Sequence, residues 1–221
     1  MKYDAARAYR EIGAPNGLPP EGEPAFVAWY DLLAQWNRKI NLTRVSKPAA
    51  AVAFHWLDSL PLAQAAPRDA TLLDIGSGAG APGLVVAALR PDVQVTVSES
   101  SGKKAGFLVQ AVHAMKLANV RVESVRAETL TDRFDVVTAR AVAEPQILIE
   151  KFRHLVAPGG AMVFFLAGDA KFIPPADAAV KQVVDYKLPL DYGNRRLILL
   201  GFLSTDYTDC TDKNQKPQKS V

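Results

Sequence analysis

The run Leu72-Leu73-Asp74-Ile75-Gly76-Ser77-Gly78-Ala79-Gly80-Ala81-Pro82-Gly83 constrains this chain more than any other segment. Apolar residues lead into an acid and then into four closely spaced glycines. That order predicts a buried strand, a turn that lets a ligand approach the backbone, and a helix start. A second strand is expected over 93–98 (Val93-Gln94-Val95-Thr96-Val97), with Glu99 just past its end. An acid at that place is positioned to hold a ribose hydroxyl. Together these features describe a nucleotide-type cofactor site on a doubly wound sheet, whereas a glycine-rich turn alone would be compatible with binding nothing.

The pattern downstream supports a parallel α/β sheet. Strands are expected near 71–75, 93–98, 120–125, 134–138 and 161–166, and helices near 82–90, 103–117 and 144–156. Repeated strand–helix units imply right-handed crossovers. Pro158-Gly159-Gly160 reads as a turn ahead of the fifth strand. Residues 182–188 and 195–203 then read as two strands joined through Asp191-Tyr192-Gly193-Asn194, a terminal antiparallel pair. Upstream, short helical segments are expected over 4–12, from Pro24 to Trp36 and over 47–65, with a proline- and glycine-rich loop over 13–24. The expected organisation is an N-terminal helical extension (1–66) packed on the core, a cofactor-binding domain (67–203), and a polar, disordered tail (204–221).

Composition excludes several classes. With 49% hydrophobic residues among 221, the chain can bury a full core. Its one cysteine, Cys210 in the polar tail, allows neither an internal disulfide nor a cysteine metal cluster, so no metal is expected. Nothing approaches the ~18 apolar residues of a membrane span, and the first residues lack the apolar core of a signal peptide. A cytoplasmic protein with no membrane partner is expected. The net charge of +3 is compatible with nucleic acid, and the basic residues fall in pairs: Arg38-Lys39, Lys103-Lys104 and Arg195-Arg196. At least one pair is expected near the mouth of the cofactor cleft.

The glycine loop with its ribose acid fits NAD or S-adenosylmethionine. The spacing Asp74, Gly76, Gly78, Gly80 and the terminal antiparallel pair resemble a class I, Rossmann-like methyltransferase with a seven-stranded doubly wound sheet and an N-terminal helical cap. A narrower resemblance runs from about residue 26 to 203. Trp36-Asn37-Arg38-Lys39-Ile40-Asn41-Leu42-Thr43, His55 to Leu60, Asp74 to Gly83, Ser101-Gly102-Lys103-Lys104, Phe107-Leu108 and Ala139-Arg140-Ala141-Val142-Ala143 recur in one order. That ordered set resembles the RsmG (GidB) family of 16S ribosomal RNA methyltransferases.

The resemblance implies methylation of guanine N7 in the decoding-region loop of small-subunit rRNA, with S-adenosylmethionine as donor. It implies 16S rRNA or the small ribosomal subunit as partner, and a monomer is expected. It places cofactor contacts at Gly76, Ala81, Glu99, the Ala127-Glu128 pair and Arg140, all at carboxyl ends of expected strands, and the glycine loop itself adds Gly78 and Gly80. Arg140, Asn41 and His55 are candidates on the substrate side; Asn41 also reads as a helix cap, and His55 and Asp58 lie one helical turn apart. Two positions depart from the family pattern: Phe54 where it has Arg, and Ala167 where it has Lys. Each removes a cation from the substrate side. Two other readings stand beside the first: a methyltransferase of the same fold acting on a small molecule or protein, and a non-catalytic ribosome- or RNA-binding relative.

Overall fold

The computed structural model describes residues 4–45 and 47–203. The polar tail expected over 204–221, with Cys210, lies outside the described residues. The N-terminal part contains α1 (Ala5–Ala8), continued by a π-helical turn over Tyr9–Gly13, then α2 (Glu23–Trp36), α3 (Pro48–Ala51), a second π-helical segment Val52–Leu57, and α4 (Asp58–Ala65). The loop between α1 and α2 is drawn onto this part by Tyr9, whose hydroxyl donates to the Pro19 carbonyl at 2.7 Å.

The rest is β1 (Thr71–Ile75), α5 (Gly83–Leu89), β2 (Gln94–Ser98), α6 (Gly102–Ala114), β3 (Val120–Glu123), β4 (Phe134–Ala139), α7 (Pro145–Phe152), β5 (Val156–Ala167), β6 (Ala178–Lys187) and β7 (Asn194–Phe202). The seven strands form one sheet in the order β3-β2-β1-β4-β5-β7-β6. Strands β1 to β5 are parallel, and β7 enters antiparallel between β5 and β6. The order reverses around β1 and β4, where an open sheet of this kind opens a crevice at the carboxyl ends of its strands.

Alternation along the strands assigns the two faces. Leu72, Val136 and Val163 join the cluster that includes the N-terminal helices, α5 and α6. Leu73, Val137, Met162 and Phe164 join the opposite cluster, under α7. The N-terminal residues therefore share a core with the sheet. Tyr9, Phe26, Trp29 and Trp56 are fully or almost fully buried there. Phe26 and Tyr9 meet Trp56 edge-on at 5.4 and 5.8 Å, contacts worth about 0.5–1.5 kcal/mol each beyond burial.

Several boundaries differ from expectation, for local reasons. β5 begins at Val156, not after Pro158-Gly159-Gly160, because a register shift against β4 between Phe134 and Val136 absorbs the irregular residues. α7 stops at Phe152, and a 3-10 turn over Arg153–Leu155 replaces its expected last turn. β6 begins at Ala178 because a bulge between Val180 and Gln182 breaks the alternation that marks a strand. α6 ends at Ala114, and Lys116 takes the left-handed conformation (φ 57°) more usual for glycine.

Candidate functional site

The glycine loop leaves the carboxyl end of β1 and enters α5. Gly76, Gly78 and Gly80 all have positive φ (66°, 53° and 88°), a conformation that strains any residue with a Cβ. The loop is tied to β2, since the N–H groups of Gly76 and Ser77 both donate to the Ser98 carbonyl. A Cβ at Gly76 would lie 2.9 Å from Val142, and one at Gly80 would strike Leu84. At Gly78 the nearest atom would be the Gly76 carbonyl oxygen, at 3.8 Å, so that part of the loop faces open space. Ala81 is buried behind it.

Two acids brace the loop. Asp74 is buried; one carboxylate oxygen accepts the Gly83 N–H at 3.0 Å, while the other has no partner among the described residues. Burial pushes its pKa up to about 6, against the opposing pull of the Gly83 hydrogen bond. Glu99, also buried, accepts the N–H of Gly78 at 3.1 Å through one oxygen and that of Ser101 at 2.9 Å through the other. The expected ribose acid thus meets the glycine loop directly. A third tie comes from the N-terminal part: Trp29 Nε1 on α2 donates to the Ala79 carbonyl at 2.8 Å. Sequence reasoning treats Trp29 as core, and nothing local to it signals a bond to the loop.

Beyond β4 lies a junction of charged groups. Arg140 donates through Nη1 to the Phe54 carbonyl (2.6 Å) and to Asp58 Oδ2 (3.0 Å), and through Nη2 to His55 Nδ1 (2.8 Å). A guanidinium has no acceptor, so Nδ1 of His55 accepts and its proton sits on Nε2, 3.3 Å from Thr43 Oγ1. Burial, with Arg140 alongside, holds the His55 pKa well below its usual value, so the ring is neutral. Asp58 is completely buried and also receives Arg195 (3.2 and 3.3 Å) and the Tyr186 hydroxyl (2.8 Å). Burial, with the Asp58 carboxylate alongside, pushes the Tyr186 pKa up. Residues from the helical part, the end of β4 and the β6–β7 hairpin therefore share one carboxylate. His55 and Asp58 both hold Arg140.

The other expected site residues are placed as follows. Ala127 is buried at the start of a 3-10 turn after β3, and the Glu128 side chain is half exposed, 3.9 Å from Lys151 on α7. Asn41 is exposed and caps no helix among the described residues. Asn37 has the capping role instead: it ends α2, accepts the N–H groups of Leu42 and Thr43, and donates to the Thr43 carbonyl. The reason is distance along the chain, because only the residue at the helix end can fold its amide over the following turn. Of the basic pairs, Arg195-Arg196 lies at the carboxyl edge, where Arg195 joins Asp58 and Arg196 pairs with Asp185. Lys39 and Lys103 line a separate groove between α2 and α6. Among the described residues no group of three or more His, Cys, Asp or Glu could hold a metal, and no helix is long and apolar enough to cross a membrane.

A seven-stranded sheet of this order, with its glycine loop after β1, an acid after β2 and an inserted antiparallel strand, defines a class I, Rossmann-like methyltransferase fold. Solved structures agree on the fold. A mutant of MtNAS in complex with S-adenosylmethionine superposes with a TM-score of 0.57 at 13% identity, covering 91% of this chain and 84% of that one. Coclaurine N-methyltransferase gives 0.52 at 15% identity, covering 83% and 74%. The family described as rRNA small subunit methyltransferase G matches residues 23–185, and the chain belongs to it. Proteins named ribosomal RNA small subunit methyltransferase G are 37% identical over 190 residues in Stenotrophomonas maltophilia (84% of this chain, 89% of the relative) and 41% identical over 162 residues in Methylobacillus flagellatus (72% and 78%). One from Neisseria meningitidis is 44% identical over 135 residues; there the match spans 61% of this chain and 65% of the relative.

Proposed function

We propose that this protein transfers the methyl group of S-adenosylmethionine to N7 of a guanine in the decoding-region loop of 16S rRNA. The observation that carries the reading is the meeting of Glu99 with the Gly78 amide, at a left-handed loop whose Gly78 side opens to free space. Family membership and relatives named as rRNA methyltransferases support the rRNA substrate. The residues present fit a nucleoside cofactor. A Cβ at Gly78 would stand in the open face of the cradle, and one oxygen of Asp74, which braces the loop at Gly83, has no partner among the described residues. Glu99 would hold the ribose, the glycine loop and Ala81 would lie along the donor, and the Ala127-Glu128 backbone would close one side of the base. Arg140 would border the transfer site.

When bound, the sulfonium supplies an electrophilic methyl group. Guanine N7 has an in-plane lone pair and no proton at neutral pH, so no general base is required. Transfer would exchange a carbon–sulfur bond for a carbon–N7 bond, with the positive charge passing to the purine and no proton moving, so no residue of the chain need act as acid or base. The chain's task is alignment and exclusion of water, which supply ~7–11 kcal/mol in well-oriented reactions. The neutral His55 and the filled Asp58 suit that task, because together they hold Arg140 in place. Departure from the family pattern at Ala167 leaves a cation nearby, since Arg195 pairs with Ala167 in register. The reading carries with it a cytoplasmic monomer that needs no metal and has the small ribosomal subunit or its rRNA as partner.

Mapping N7-methylguanine in small-subunit rRNA from cells with and without this gene tests the proposal. The modification is expected at one decoding-region guanine and is expected to vanish with the gene. An unchanged map would refute it.

A further inference from the structure

We propose that Phe54 and Tyr192 form a stacking platform for an unstacked RNA base beside the transfer site, an inference that rests on the rRNA reading above. Their rings meet at 4.6 Å with an interplanar angle of 77°. In a perpendicular pair, the ring that points its edge at its partner keeps both faces free of that partner. Phe54 is only partly buried, and Tyr192 is 36% exposed. The pair therefore presents partly exposed aromatic surface beside a junction otherwise built of charged groups.

The platform adjoins the site on both sides. The Phe54 carbonyl accepts from Arg140, and Val142, two residues beyond Arg140, lies against Gly76 of the glycine loop. Tyr192 precedes Arg195, which shares Asp58 with Arg140. One carboxylate between two guanidiniums leaves surplus positive charge at this junction, suited to the phosphates that flank a base. Single-stranded RNA loops are read by splaying bases onto aromatic side chains among cations.

The turn that carries Tyr192 is strained in place. The Tyr192 N–H donates to the Pro189 carbonyl at 3.4 Å across Leu190 and Asp191, both at positive φ (60° and 57°). Neither residue is glycine, and Leu190 is 50% exposed, so core burial does not explain the strain. Positive φ at both central residues is what a tight turn between antiparallel strands such as β6 and β7 requires. The turn sets the Tyr192 ring perpendicular to that of Phe54.

The test uses fluorescence anisotropy with an rRNA hairpin carrying the decoding-region loop, and copies in which single loop nucleotides are abasic. For wild type, one abasic position is expected to weaken binding on the order of tenfold. Tyr192→Ala is expected to lose about as much on the intact hairpin and to become insensitive to that same position, while Tyr192→Trp restores both. S-adenosylmethionine affinity is expected to stay at the wild-type value. If Tyr192→Ala fails to fold, Phe54→Leu keeps the apolar volume, removes one aromatic face and is expected to give the same pattern. Intact-loop affinity equal to wild type, or a loss independent of the abasic position, overturns the platform. Methyl transfer to undermethylated small subunits separates the two proposals. No transfer by wild type with the abasic pattern intact sinks the catalytic reading alone; normal transfer without the pattern sinks the platform alone.

Discussion

Replacing Asp58 with asparagine tests the charged junction. The Asp58 carboxylate is completely buried and receives four hydrogen bonds: one from Arg140, two from Arg195 and one from Tyr186. A carboxylate offers about four lone-pair sites, so its capacity is filled. The Asp58→Asn amide keeps the shape but removes the charge, and it points an NH2 group at donors. Two guanidiniums would then face each other with no anion between them. Breaking a buried ion pair costs about 3–5 kcal/mol. The Arg140 and Arg195 side chains retain 13% and 22% of their exposure, so water offsets part of the loss; the lower end, about 3 kcal/mol, is expected. For a domain of this size each kcal/mol moves the thermal midpoint by roughly 2–4 °C, giving a fall of roughly 6–12 °C. The comparison is Asp185→Asn, which breaks the exposed pair with Arg196 (60% and 33% exposed) and should shift the midpoint far less, because solvent screens an exposed pair. Calorimetric unfolding of both variants decides the matter. Equal shifts would show that the Asp58 cluster is no more than a solvated surface contact, and the account of how Arg140 is held would fail.

Glu99→Ala removes the bonds to Gly78 and Ser101 together; with charge-assisted bonds worth roughly 1.5–3 kcal/mol, S-adenosylmethionine affinity by titration calorimetry should fall about tenfold to a hundredfold, and an unchanged affinity removes Glu99 from the site. Trp29→Phe keeps the apolar ring but deletes the bond to Ala79, leaving a carbonyl unpaired at about 1–3 kcal/mol; hydrogen exchange should quicken in the Gly78–Gly80 amides, and unaltered exchange would mean that the helical part does not hold the loop. His55 has a folded-state pKa held well below 6.5, the value expected unfolded. Its contribution is therefore fully present above pH 6.5 and lost as pH falls, because the unfolded chain takes up a proton that the folded ring refuses. NMR titration should find the His55 ring neutral at pH 6. Asp74 runs the other way: with a folded pKa near 6 against 3.8, its stabilising contribution is present below pH 3.8 and lost as pH rises through 6, and Asp74→Asn should flatten that part of the stability curve.

Features whose physics is local are legible in the chain. A glycine loop with positive φ at three positions, an acid closing the next strand, and β1 at Thr71–Ile75 all follow from adjacent residues. So does the final hairpin, because its turn residues sit between two runs of apolar alternation. Where regularity breaks, the signal is lost: the bulge in β6 and the register shift before β5 hide the starts of both strands. Which distant side chains meet is settled only on folding. Trp29 reaches Ala79 across the helical part and the loop, Asp58 gathers Arg140, Tyr186 and Arg195 from three elements, and Tyr192 lands on Phe54. Hydrophobic periodicity reports which face of an element is buried, but a single polar or aromatic contact between remote segments leaves no period in the chain. Its partner is set only when the sheet and its helices close around a shared core.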